Sequence, residues 1–124
     1  MALILYVEDD FANRVLIRRI LSAEGHRVVE AENAEEALAA LESHSPDLIL
    51  MDINMPEVDG FTLTRRIKNT PAWKDIPVVA LTANVMKGDR ERVLQAGCDG
   101  YIQKPIDVDA LPRQIAGFLA AKSS

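Results

Sequence analysis

Residues 3–7 (Leu-Ile-Leu-Tyr-Val), 48–51 (Leu-Ile-Leu-Met) and 77–81 (Pro-Val-Val-Ala-Leu) are apolar with no polar alternation. That is the pattern of strands buried on both faces, as in a parallel sheet covered by helices. Residues 27–31 (Arg-Val-Val-Glu-Ala) read as a shorter, more exposed strand, and residues 100–103 (Gly-Tyr-Ile-Gln) as a fifth. Between them the spacing changes to that of a helix face. From residue 11 to 24 the apolar positions are Leu16, Ile17, Ile20 and Leu21, with Arg14, Arg18 and Arg19 facing mostly outward and Gly25 as a left-handed stop. Asn33 is placed to cap a second helix, with Glu36 as its return partner in a capping box and Ala34, Ala37, Leu38 and Leu41 as the buried stripe.

A third helix runs from about residue 59 to 68, burying Phe61, Leu63 and Ile67, and ends at Asn69-Thr70-Pro71. Trp73 follows in a loop, as a partly exposed packing lid. Residues 85–96 form a fourth helix, weakened by Gly88 and stopped by Gly97. The last begins at Asp107 or Asp109 and continues to about residue 121. An Asp109 cap puts Pro112 among the first-turn positions whose amide lacks a helical partner, whereas an Asp107 cap requires local distortion. Strands alternating with helices define a doubly wound α/β fold, whose strand order this pattern leaves open.

At 124 residues the chain is long enough for one domain with its own core. There are 14 basic and 19 acidic residues, a net charge of −5, and no basic cluster to neutralise a phosphate backbone, which disfavours nucleic acid as a partner. The one cysteine, Cys98, excludes an internal disulfide, suits a reducing compartment and is expected to pack in the core. The apolar opening is too short for a signal peptide or a membrane span, so the expected location is the cytoplasm, without membrane contact.

The chemistry gathers where the strands end. The first runs into Glu8-Asp9-Asp10 and the third into Asp52, after which Pro56 and Asp59-Gly60 force a loop. The fourth ends in Thr82-Ala83-Asn84 and the fifth at Lys104-Pro105. Open α/β sheets bind ligands at the carboxyl ends of their strands. Carboxylates crowded there repel one another, and a hard divalent cation holds them ionised. Magnesium suits the set because it takes few protein ligands and keeps water and phosphate oxygens. With Lys104 as a fixed positive charge and Thr82 as a hydroxyl donor, the parts for stabilising a transferring phosphoryl group are present, and Asp52 is the natural nucleophile. Taken singly, each has a plainer role: Asp52 as a strand-end cap, Thr82 as a helix cap, Lys104 as a solvated loop residue, the acids as a helix start favoured by the dipole. Four such groups at four strand ends make coincidence a poor account.

These pieces resemble a response-regulator receiver domain of two-component signalling. The likeness runs from Leu3 to about Leu119, through Val7-Glu8-Asp9, Met51-Asp52-Ile53-Asn54-Met55-Pro56 with Asp59-Gly60, Leu81-Thr82-Ala83 and Tyr101-Ile102-Gln103-Lys104-Pro105. The resemblance implies a flavodoxin-like (βα)5 three-layer sandwich with strand order 2-1-3-4-5. It implies Asp52 as phosphoacceptor and Mg2+, or Mn2+, held at Glu8, Asp9, Asp52 and the carbonyl of Asn54. It further implies Thr82, Ala83 and Lys104 as phosphoryl contacts, Thr82 and Tyr101 as switch residues, and a cis bond before Pro105. Asn54 and Asn84, two beyond the acceptor and two beyond the threonine, are implied as positions that tune dephosphorylation.

Glu8 stands where many members have aspartate, and Asp10 is an acid at a variable position. The likeness is nearest to stand-alone receivers of cell-cycle and phosphorelay systems. Residues 1–124 are then one receiver domain with no output domain. It would be phosphorylated by a histidine kinase or histidine phosphotransferase and signal through the face of the fourth helix, fifth strand and fifth helix. No catalytic activity on a separate substrate is expected, only promotion of the domain's own phosphorylation and dephosphorylation. The alternatives are a receiver excised from a hybrid kinase or larger regulator, and a scaffold that works without phosphorylation. A haloacid-dehalogenase-like phosphatase would need an aspartate where Asn54 stands. A flavodoxin-like flavin carrier would want a glycine- and hydroxyl-rich loop where Glu8-Asp9-Asp10 lies.

Overall fold

The computed structural model describes residues 2–55, 59–83 and 87–123, with only the backbone considered for 87–90 and 121–123. Its elements are β1 (Leu3–Val7), α1 (Phe11–Ala23), β2 (Arg27–Ala31), α2 (Ala34–Ser43), β3 (Leu48–Asp52), α3 (Gly60–Lys68), β4 (Val78–Thr82), α4 (Lys87–Gln95), β5 (Gly100–Gln103) and α5 (Leu111–Ser123). The five strands form one parallel sheet in the order β2-β1-β3-β4-β5.

Strand alternation divides the core into two layers. Leu5, Val7, Ile49, Met51, Val78 and Ala80 pack on one face with residues of α2, α3 and α4. Ile4, Tyr6, Leu48, Leu50, Val79, Leu81 and Ile102 pack on the other with α1 and α5. The central strands therefore have no polar side, which is why their sequences do not alternate. The register also decides which strand-end residues share a face. Val7 pairs with Met51, Asp52 with Leu81 and Thr82 with Gln103. By parity, Glu8, Asp52 and Lys104 continue the face of Tyr6, Leu50 and Ile102, whereas Thr82 continues that of Ala80.

Local signals set most boundaries. Asp10 caps α1, its carboxylate accepting from the Asn13 amide at 2.9 Å, which gives this acid a role. Gly25 and Gly97 take φ of +87° and +101° after α1 and α4, a backbone region open to glycine. Asn33 caps α2 by accepting from the Glu36 amide at 2.8 Å. The Glu36 carboxylate returns to the amide of Glu32 at 2.8 Å, one residue before the expected partner. Asp59 caps α3 through the amides of Phe61 and Thr62 and the Thr62 hydroxyl, and these bonds hold its carboxyl below the usual aspartate range. At Gly60 a Cβ would lie 3.0 Å from Ile53 Cα and 3.3 Å from the Asp52 carbonyl oxygen. Only glycine lets α3 start this close to the loop after β3.

Three expectations change. Arg14 does not face outward: it is 6% exposed, because it precedes Ile17 and Leu21 on the same buried stripe of α1 (i, i+3, i+7). Leu16, expected inside, is instead 42% exposed. At α5, Asp107 accepts from the amides of Asp109 and Ala110 and so caps a turn, after which the helix begins at Leu111. Pro112 is then the helix's second residue and interrupts no hydrogen bond. Trp73 is half-buried and packs on the α2/α3/α4 layer, and Cys98 is buried. Among the described residues no helix is long and apolar enough to cross a membrane.

Candidate functional site

Glu8, Asp52 and Lys104 are each delivered by a strand whose ladder continues to the edge of the site. The Glu8 amide donates to the Ala31 carbonyl at 2.9 Å, Ile53 to Leu81 at 3.1 Å and Lys104 to Thr82 at 2.8 Å. The main chain beside each candidate residue is thus part of the sheet. Glu8 and Asp52 are 1% and 3% exposed, and Thr82 is buried. Asp9 is exposed at the mouth, and one carboxylate oxygen from each of Glu8, Asp9 and Asp52 lies within 4.8 Å of the others.

Lys104 Nζ donates to Asp52 Oδ2 at 2.7 Å and lies 3.8 Å from Glu8 Oε1. The other Asp52 oxygen, Oδ1, accepts from the Asn54 amide at 2.8 Å. One lysine cannot neutralise three carboxylates. The result shows at Glu8, whose carboxyl is pushed up to about 7 by burial first and by the neighbouring Asp52 carboxylate second, against the opposing pull of Lys104. Tyr6, whose hydroxyl donates to Glu8 Oε1 at 3.0 Å, has its own ionisation pushed up by burial and by that carboxylate. Tyr6 therefore acts here as a donor only.

The donor set is all oxygen, carboxylate and mutually repulsive, which fits a hard divalent cation. The peptide bond between Lys104 and Pro105 is cis, as expected. Tyr101 is half-buried on β5, packed against the α2/α3/α4 layer. Asn84 and the loop residues 56–58 lie outside the described residues.

Two features lie outside the sequence reading. The amide of Ala83, a residue expected to contact the phosphoryl group, donates to Asn54 Oδ1 at 2.8 Å in the unphosphorylated chain. Asn54 therefore does not hold a free carboxamide oxygen towards water. Arg14 and Tyr6, by pattern an outward-facing helix residue and a strand residue, both support Glu8. Arg14 donates to the Glu8 carbonyl at 2.8 Å and to Glu32 at 2.9 Å, with Glu30 at 3.4 Å. The signal for Tyr6 was present as a hydroxyl two residues before Glu8, on the same strand face. For Arg14 it was an arginine in phase with a buried stripe.

Beside the acids, between α1 and the segment after β5, lies a cavity of about 220 Å³ lined by Glu8, Asn13, Leu16, Lys104, Pro105 and Ile106. Phe11 and Val108 are 68% and 51% exposed, so α1 and the segment leading to α5 both present bare apolar groups.

A family model for the response regulator receiver domain matches residues 4–116. The polar-differentiation response regulator DivK of Brucella anthropi is 43% identical over 116 residues, 94% of each chain. Among solved structures, a two-component response regulator from Clostridium difficile superposes with a TM-score of 0.91 at 27% identity, over 100% of both chains. The receiver domain of a sensor histidine kinase from Pseudomonas aeruginosa PAO1, with a magnesium ion coordinated in its active-site cleft, gives 0.86 at 36% identity, over 96% of this chain and 98% of that one.

Proposed function

Because the chain belongs to the response-regulator receiver family, a family of phosphoacceptors in signalling, we propose that Asp52 is the acceptor and takes its phosphoryl group from a protein phosphohistidine. An Asp52 carboxylate oxygen attacks phosphorus, the phosphorus–nitrogen bond breaks, and the leaving imidazole takes a proton from solvent. The observation that carries this reading is the Asp52 carboxylate itself: buried, 2.7 Å from Lys104 Nζ, and grouped with two further acids within 4.8 Å.

Glu8, Asp9, Asp52 and the Asn54 carbonyl would hold Mg2+ or Mn2+, and the ion supplies charge that neutralises the carboxylates and the incoming phosphoryl oxygens. Lys104 balances developing negative charge from the other side. Thr82 supplies a hydroxyl at the end of β4, and its movement towards the phosphoryl oxygens lets Tyr101 turn inward. Asn54 and Asn84 set the water access that limits the lifetime of the phosphorylated state. Self-phosphorylation from small donors and self-dephosphorylation are the chemistry this site promotes, with no separate substrate.

A protein donor is supported by the exposed apolar Leu16 beside the acids, with Phe11 bare at the start of α1 and Val108 bare in the segment leading to α5. A target protein is read to engage the α4, β5 and α5 face, where Leu94 is 54% exposed. A cytoplasmic setting, where phosphohistidine donors act, agrees with the unpaired Cys98 thiol.

Intact-mass analysis with a small acyl phosphate tests the assignment. Wild type gains one hydroxylamine-sensitive phosphoryl group, only with a divalent cation, and Asp52→Ala gains none. Labelling of Asp52→Ala, or an unchanged rate after chelation, refutes it. Beryllofluoride should shift amide signals between Lys87 and Leu94 and at Tyr101, and shifts confined to the Asp52 pocket refute the switch.

A further inference from the structure

A phosphoryl group on Asp52 would have to compete with a hydrogen bond that already spans the edge of the unphosphorylated site. The Asn54 main-chain amide donates to Asp52 Oδ1 at 2.8 Å, and the Asn54 side-chain oxygen accepts the Ala83 amide at 2.8 Å, across 29 residues of sequence. Asn54 thus joins the end of β3 to the residue following β4, with its carboxamide beside the acceptor. Asp52 and Leu81 are ladder partners, so Ala83 lies just beyond the acceptor on the neighbouring strand.

We propose that Asn54 is a positioning residue that holds the unphosphorylated state, its carboxamide oxygen standing in for a phosphoryl oxygen on the Ala83 amide. The inference rests on Asp52 being the acceptor. A phosphoryl group brings three acceptor oxygens into a site whose other cation, Lys104 Nζ, is already on Asp52 Oδ2 at 2.7 Å. For one of those oxygens the Ala83 amide is a main-chain donor at the site's edge, available once the Asn54 oxygen leaves it. The exchange is favourable because a hydrogen bond to a charged oxygen is about twice as strong as one between neutral groups. It is also obligatory, because one amide hydrogen makes one good bond. Breaking the Asn54 bond therefore opposes the phosphorylated arrangement and raises the threshold for it. As it breaks, the loop after β3 and the start of the β4–α4 connection lose their tie, which couples the acceptor to the α4 side of the sheet.

The probe is beryllofluoride with saturating Mg2+, titrated into the isotopically labelled chain and followed by amide shifts. Removing the competitor in Asn54→Ala leaves the Asn54 main chain in place and should tighten beryllofluoride binding roughly three- to tenfold, the range of one net hydrogen bond. A side chain that merely ordered the loop would give weaker binding on removal. In wild type the Ala83 amide should be protected from hydrogen exchange before the probe is added and remain so after. In Asn54→Ala it should be unprotected before and protected after. Equal or weaker beryllofluoride binding by Asn54→Ala, or a fast-exchanging Ala83 amide in the free wild type, overturns the proposal. If wild type fails to bind beryllofluoride at all, the acceptor assignment falls and the inference with it. If wild type binds and only the Asn54→Ala effect is missing, the acceptor assignment survives alone.

Discussion

Glu8 should make cation binding at the proposed site depend on pH near neutrality. Its carboxyl is 1% exposed and sits beside the Asp52 carboxylate, and its pKa rises from 4.5 to about 7 in the free protein. At pH 6 about nine in ten Glu8 side chains then hold a proton, and at pH 8 about one in ten. A divalent cation needs the ionised form, so binding at pH 6 must expel that proton. Affinity should rise about tenfold from pH 6 to pH 8 and flatten above.

The same shift acts on folding. A carboxyl raised in the folded state stabilises the protein fully below its unfolded pKa, and that stability is lost as pH rises through the folded value. Over the window from 4.5 to about 7 the loss is on the order of 3 kcal/mol. Glu8→Gln, which cannot ionise, should keep that stability at pH 8 in metal-free solution while binding the cation more weakly and with little pH dependence. Calorimetry in two buffers of different ionisation enthalpy counts the protons released per ion: close to one at pH 6 and close to zero at pH 8. Urea unfolding in chelator gives the stability arm. Metal affinity that stays flat from pH 6 to 8, with wild type and Glu8→Gln equally stable at pH 8, would refute the account of Glu8.

Arg14→Met leaves Glu30 and Glu32 without their shared cation and the Glu8 carbonyl without its donor. Since Glu32 is largely exposed, urea unfolding should show a loss of about 1–3 kcal/mol rather than the larger loss of a fully buried pair. Leu16→Asp, on the apolar surface beside the acids, should slow phosphotransfer from a protein donor at least severalfold while labelling by a small acyl phosphate stays near wild type; equal slowing of both would mean that Leu16 supports the site rather than the donor. Asn84→Tyr should prolong the phosphorylated state by excluding water, and an unchanged lifetime in a phosphate-release assay would place control of water elsewhere.

Much of this protein can be read from its sequence because the deciding forces act over a few residues. Strands β1, β3 and β4 declare themselves by apolar runs, since a strand covered on both faces has no side left for polar groups. Asp59, Asn33, Gly25 and Gly97 mark helix ends by capping chemistry or by φ, both local properties. Glu8, Asp9, Asp52, Thr82 and Lys104 stand out because each ends such a strand, and a parallel sheet brings those ends to one edge.

Tertiary structure decided what depends on distant neighbours. The pairing register placed Glu8, Asp52 and Lys104 on one face and within reach of each other. The pKa of Glu8 follows from burial and a carboxylate 44 residues away in sequence. Arg14 sits inside because Glu30 on β2, Glu32 just beyond it and a main-chain carbonyl receive its guanidinium. Asn54 spends its side-chain oxygen on Ala83 because two strands end side by side. Spacing along a chain reveals which face a residue can bury, but charge and hydrogen-bond partners come from whatever the fold sets opposite it. Such partners are chosen by three-dimensional proximity, which one sequence leaves open until its strands are paired.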